Sequence, residues 1–249
     1  MKLRLLLPVI IAMIAFQLKA QDTWFEAGAK VGYGPSVLWE SNISDSEVHD
    51  MNINSGLRYG FNFHVNFDQG GGFVLEGLMT RGNQTYDFSG NDLFNAGEHS
   101  IEWRSTDVLL LYRLVNQGAF IEIGPKMSFI GSVEHDLSNN ANPFAEIDVE
   151  SMYTDSYLSG VIGFGGYLFG SRDFTVGLGI RFEYGFQNFT SSEGSDNANA
   201  FPLTRTLDNT YDPGNLRNIN AYATLEIKIP IGRFSKIQCG QRGFLFGGG

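Results

Sequence analysis

The chain has 249 residues, a net charge of −10, 31 glycines, 14% aromatic residues and a single cysteine. The acidic balance argues against a nucleic-acid partner, because backbone phosphate is held by clustered Lys and Arg. One cysteine, Cys239, excludes an internal disulfide framework.

The first twenty residues read as a targeting segment. Lys2 and Arg4 supply a positive start, Leu5 to Phe16 is an apolar run of 12 residues, and Leu18-Lys19-Ala20 ends on a small residue. This is the layout of a secretory signal peptide, and it is too short for a spanning helix. Gln21 rather than cysteine follows Ala20, so no lipid anchor is expected.

Beyond it the chain alternates with period two, the signature of β-strands with unlike faces. The clearest case is Arg172 to Gln187. Phe174, Val176, Leu178, Ile180, Phe182, Tyr184 and Phe186 share one face; Thr175, Gly177, Gly179, Arg181, Glu183 and Gly185 share the other. Taken in order, strands are expected at about Trp24–Tyr33, Ser55–Phe67, Gly72–Tyr86, Glu102–Leu114, Ala119–Phe129, Asp155–Phe169, Phe174–Phe186 and Asn218–Ile231. The fourth contains Val108-Leu109-Leu110-Leu111, which leaves its facing ambiguous. The connections alternate long and short. Asp68-Gln69-Gly70-Gly71, Asn116-Gln117-Gly118 and Gly170-Ser171-Arg172-Asp173 are tight turns, and polar segments of up to thirty residues link the other pairs.

Eight strands, each long enough for a tilted span of about 9–11 residues, with short turns at one end and long loops at the other, predict an all-β fold. That fold is an eight-stranded antiparallel up-and-down transmembrane β-barrel over residues 21–234, followed by a tail at 235–249. A lipocalin-like soluble barrel would turn its apolar face inward. The polar faces here are rich in Gly, Asn and charge, which suits a crowded lumen with the apolar face in lipid.

The expected luminal charges are Glu26, Glu76, Glu122, Glu183 and Glu226, matched by Lys30, Arg58, Lys126, Arg181 and Lys228. An eight-stranded barrel is just wide enough for its side chains to fill, and buried charges persist when paired. The expectation is a charge network that closes the lumen. The rival reading is a narrow channel for small solutes, with a continuous water path. The long loops carry sixteen acids against Arg205 and Arg217. No calcium loop is present, so they read as a solvated anionic surface rather than a metal site.

No Gly-x-Ser-x-Gly elbow or His-Glu-x-x-His motif occurs. His49, His99 and His135 fall in or beside loops, and His64 on the inner face of the second strand. No catalytic residue, cofactor or metal is expected. In the tail, Phe244-Leu245-Phe246 lies between glycines with Lys236 and Arg242 nearby and no acid. Such an apolar anchor on a flexible stem is a candidate for docking on a protein partner.

The signal peptide ending in Ala20-Gln21, the eight alternating strands and the pairs Gly60-Phe61, Gly163-Phe164 and Gly185-Phe186 resemble the PorT-like outer-membrane proteins of Bacteroidota. The resemblance covers about Asp22 to Arg233. It implies a cell outer-membrane location, with contact to outer-membrane lipid and insertion by the barrel-assembly machinery; the alternation of long and short connections, with the first one long, puts both termini in the periplasm. It further implies a non-enzymatic role in envelope assembly, type IX-like secretion or surface contact. No site residue carries over from the family.

Overall fold

In a computed structural model of the chain, the described residues are 23–40, 49–67, 70–89, 95–138, 149–171, 173–196, 215–236 and 242–246. The targeting segment expected at 1–20 and Cys239 lie outside them. The strands are β1 (Thr23–Trp39), β2 (His49–Met51), β3 (Asn54–Phe67), β4 (Gly71–Phe88), β5 (Gly97–Asn116), β6 (Ala119–Leu137), β7 (Ser156–Gly170), β8 (Thr175–Gly185), β9 (Arg217–Lys236) and β10 (Arg242–Phe246). A 3-10 turn at Glu150–Met152 and a short helix, α1 (Ser192–Asp196), complete them.

Eight strands form a closed antiparallel ring in the order β1-β3-β4-β5-β6-β7-β8-β9, with β9 pairing back onto β1 from Thr23↔Phe234 to Trp39↔Arg217. Sequential neighbours pair throughout, so the topology is up-and-down, and closure leaves no free edge along the wall. β2 adds to β4 at the long-loop end. β10 runs antiparallel to the last residues of β9, from Arg242↔Lys236 to Phe246↔Gly232.

The short turns gather at one end. Asn116 and Ala119 face each other across the β5–β6 hairpin, and both residues between them, Gln117 and Gly118, have positive φ, 50° and 86°. A two-residue hairpin needs that conformation to match the twist of its strands. Gly70, at φ 95°, serves the β3–β4 turn in the same way.

The outer wall of the ring carries an apolar belt. Phe61 is 77% exposed and Ile180 54%, and Leu75, Leu110, Ile123, Phe164 and Ile227 stand beside them. Small glycines let neighbouring walls approach. A Cβ on Gly60 would sit 2.0 Å from the Gly77 carbonyl, and one on Gly124 2.1 Å from that of Leu110.

Several strands run further toward the long-loop end than their apolar alternation predicts. β1 continues to Trp39, β5 begins at Gly97 and β6 ends at Leu137. There the facing rule reverses. On β5, Val108, Leu110, Tyr112 and Leu114 point outward at one level; two turns of the pleat higher, Ile101 and Trp103 point inward while Glu102 and Arg104 point out. Beyond that crossover the strand has no continuous apolar outer face, and its sequence resembles a polar loop. Some of the loop acids are accordingly strand residues: Asp50, Asp87, Glu98, Glu134 and Asp136 lie on β2, β4, β5 and β6. Glu40, expected at a solvated surface, is buried.

Candidate functional site

The lumen divides into a charged layer level with the apolar belt and an aromatic layer toward the long loops. The pleat decides what enters the charged layer. Every second residue of each strand points inward, so Lys30 on β1, Arg58 on β3, Glu76 on β4, Glu122 and Lys126 on β6, Arg181 and Glu183 on β8 and Glu226 and Lys228 on β9 are all buried. Glu26, at the short-turn end, is partly buried.

Two further luminal charges, Asp107 and Arg113 on β5, were not expected. The run Val108-Leu109-Leu110-Leu111 hides the parity of that strand. The signal lay at its ends, because Asp107 and Arg113 share the parity of Leu109 and Leu111. Those two leucines point inward and pack with Val74, Leu78 and Val161 as a small aliphatic cluster beside the charges. The inner face is therefore less uniformly polar than the other strands suggest.

With these additions the charged layer holds, among the described residues, six acids and six bases, tied across the ring. Arg181 on β8 donates to both carboxylate oxygens of Glu76 on β4, at 2.5 and 2.8 Å, and its Nε donates to Glu122. Arg113 on β5 donates to Glu226 on β9 at 2.5 and 2.9 Å and to Glu122 at 2.8 Å. Lys30 donates to Glu76 and lies 3.1 Å from Glu226. Lys126 is 2.5 Å from Glu183 and 3.6 Å from Asp107, whose carboxylate also accepts from Thr80 and Ser105. Lys228 closes the short-turn end on Glu26 at 2.6 Å.

Arg58 is the exception. No carboxylate lies within 4.0 Å of it among the described residues; its guanidinium instead stacks 4.2 Å over the Tyr222 ring. The Tyr222 hydroxyl in turn donates to Glu183. Charged hydrogen bonds of this kind are short and strong, and the two-pronged arginine pairs also fix geometry.

Above the charges, Leu38, Tyr86, Ile101, Trp103, Val133, Met152, Tyr153, Tyr157, Phe189 and Leu216 form a buried cluster across the long-loop end. Phe189 is its centre, with ring centroids 5.5 Å from Trp103, Tyr153 and Tyr157. The segments 149–157 and 186–191 deliver Met152, Tyr153, Tyr157 and Phe189 to the cluster. They are held by backbone bonds from Thr154 to Phe189 and from Ser191 to Met152 and by the bridge between Tyr153 and Thr190.

Three of the four histidines lie in this upper layer rather than in open loops. His99 Nε2 is 3.2 Å from His135 Nδ1, and His135 Nε2 is 2.7 Å from the Tyr153 hydroxyl. Burial lowers the His135 pKa to about 4 and, with the neighbouring imidazoles, holds His99 well below its ordinary value; burial raises that of Tyr153. His49 is close enough to contribute to the His99 shift. His64 is buried on the inner face of β3. Among the described residues no group of three or more His, Cys, Asp or Glu is arranged to hold a metal ion.

The tail candidates Phe244, Leu245 and Phe246 lie on β10, whose backbone pairs with β9 of the same chain.

Scans against protein-family models and curated proteins gave no match. Among solved structures, the chain is similar to the Neisserial surface protein A (9% identity, 82% of this chain and 96% of that one, TM-score 0.39). It is also similar to the outer membrane protein OprG from Pseudomonas aeruginosa (13% identity, 85% and 96%, TM-score 0.38). A third is Ail, the attachment invasion locus protein of Yersinia pestis (11% identity, 83% and 99%, TM-score 0.35).

Proposed function

We propose that the chain is an integral outer-membrane β-barrel with a sealed lumen, working through its two ends rather than by passing solutes. The observation that carries this reading is the pair of bidentate bridges, Arg181 to Glu76 and Arg113 to Glu226, each joining strands on opposite sides of the ring. Side chains that meet across the middle leave no straight path along the axis, and the aromatic layer above lies over them. An apolar belt that would be an aggregation hazard in water is the expected surface in lipid.

On this reading the long loops face the outside and both termini the periplasm. The role is in envelope assembly, type IX-like protein secretion or surface contact, in line with the resemblance to PorT-like proteins. Contact with a protein partner falls to the acidic long-loop end or to the tail. The deciding experiment is twofold. Purified protein in planar bilayers should give no steady ion current at neutral pH, and mild-detergent purification from native membranes should retain a stable companion. A large, stable conductance would replace this reading by the solute channel.

A further inference from the structure

Nearly every described Lys and Arg of the strands points into the lumen or lies at a turn or terminus, but two do not. Arg81 on β4 and Arg104 on β5 point outward and are Cα partners in the ladder. Like charges placed directly opposite on one face repel. Among the described residues, neither has a carboxylate within 4.0 Å. The nearest outward acids of the ladder, Glu102 and Glu134, are themselves partners one step further toward the long loops.

The position of the pair matters. One rung below are Met79 and Thr106, and below those the belt continues with Leu75, Leu110 and Tyr112. The arginines therefore stand at the first level above the apolar belt, where a bilayer's headgroups would lie. The wall beside them is hollowed. The β5–β6 ladder slips between Arg104 and Ser105, leaving Gly131 as an extra residue without a side chain. A Cβ added there would meet only the Arg104 carbonyl, at 3.8 Å. The resulting concavity, about 200 Å³, is lined by Tyr59, Met79, Arg81, Arg104, Thr106 and Gly131, with Thr80 and Ser105 at its back.

Two guanidiniums over a shallow, partly apolar hollow make a fork for a tetrahedral anion that arrives with acyl chains attached. We propose that Arg81 and Arg104 clamp the phosphate of a membrane-lipid headgroup whose chains lie down the β4–β5 wall. The anion removes the repulsion between the arginines, and arginine is well suited to bidentate phosphate contacts. In a chain of net charge −10, the pair is a local concentration of positive charge. The inference rests on the membrane reading above but not on the sealed lumen.

The test is native mass spectrometry of the full chain released from detergent micelles, with added diphosphorylated lipid A, the same lipid dephosphorylated, and inorganic phosphate as competitor. Wild type should retain the phosphorylated lipid and not the dephosphorylated one. The double variant Arg81→Gln/Arg104→Gln should lose retention by roughly tenfold or more, and Arg233→Gln, at the short-turn end, should leave it unchanged. Circular dichroism and heat-modifiable gel mobility verify that the variants fold. Equal retention by the double variant, or equal binding of the dephosphorylated lipid, overturns the clamp. Displacement of the lipid by millimolar inorganic phosphate assigns the site to free anions and overturns the lipid assignment. A protein that stays monodisperse without detergent sinks the membrane reading itself, whereas an ion current with lipid retention intact sinks only the sealed lumen.

Discussion

Glu76 and Arg181 stand on opposite walls of the ring, on β4 and β8, and still meet through two hydrogen bonds of 2.5 and 2.8 Å. Contact across the full width means that the lumen is as narrow as two side chains laid end to end. The same carboxylate also accepts from Lys30, and Arg181 also binds Glu122, so the cross-bridge is one link in a continuous network.

The first prediction follows from that connectivity. Removing one member of a buried ion pair strands its partner's charge, at about 3–5 kcal/mol. Arg181→Met removes a charged donor from both Glu76 and Glu122, leaving Lys30 and Arg113 to hold them and one luminal acid in excess, and is expected to approach that range. Arg58→Met should cost clearly less, because Arg58 has no carboxylate within 4.0 Å and its loss leaves no carboxylate stranded among the described residues. Urea titration of the heat-modifiable band in detergent measures both; equal losses would mean the charges contribute without regard to pairing.

A second prediction concerns the belt. Phe61→Arg or Ile180→Arg places a charge on the outer wall and should cost about 2–4 kcal/mol if the wall lies at mid-bilayer. Gly77→Ala is the matched control, since an added Cβ there meets nothing within 4 Å. Folding yield into lipid vesicles reads the difference. If the arginine variants fold as well as Gly77→Ala, the belt does not face lipid.

The third prediction uses the imidazoles of the upper layer. His135 has a folded pKa of about 4, below the ordinary value of 6.5. Between those values the unfolded segment binds a proton that the folded one refuses, so stability rises with pH. The contribution is fully present above pH 6.5 and is lost as pH falls toward 4. Amide protection factors at residues 133–137 and 149–157, referred to the intrinsic exchange rate at each pH, should therefore fall below pH 6 while those of the belt strands hold. His135→Gln should flatten that dependence; an unchanged profile in the variant would point to the luminal carboxylates instead.

The last prediction addresses the tail. β10 covers β9 over Gly232–Lys236, below the level where β8 begins at Thr175↔Lys228. The ring is complete without it, so a chain lacking residues 240–249 should still fold, with faster amide exchange confined to the end of β9. Loss of a co-purifying partner in the same truncation would support tail docking. Failure to assemble would show instead that β10 helps to close the ring.

Much of this architecture was legible in the sequence. Strand facing on β8 and β9 followed from strict alternation, because lipid-like and luminal surroundings demand opposite polarity on adjacent residues. Hence the inward positions of Arg181, Glu183, Glu226 and Lys228 could be read directly. Three things could not. Asp107 and Arg113 were hidden because inward Leu109 and Leu111 give β5 two apolar faces where an aliphatic cluster fills the lumen. The upper aromatic layer looks like polar loop in the sequence, because Ile101 and Trp103 point inward only where the wall's surroundings change and the facing rule inverts. The cross-bridges depend on which strands stand opposite in the closed ring. Sequence alternation reports the environment of each residue; the register of the β4–β5 ladder sets Arg81 beside Arg104, and ring closure alone brings Glu76 to Arg181 across the lumen.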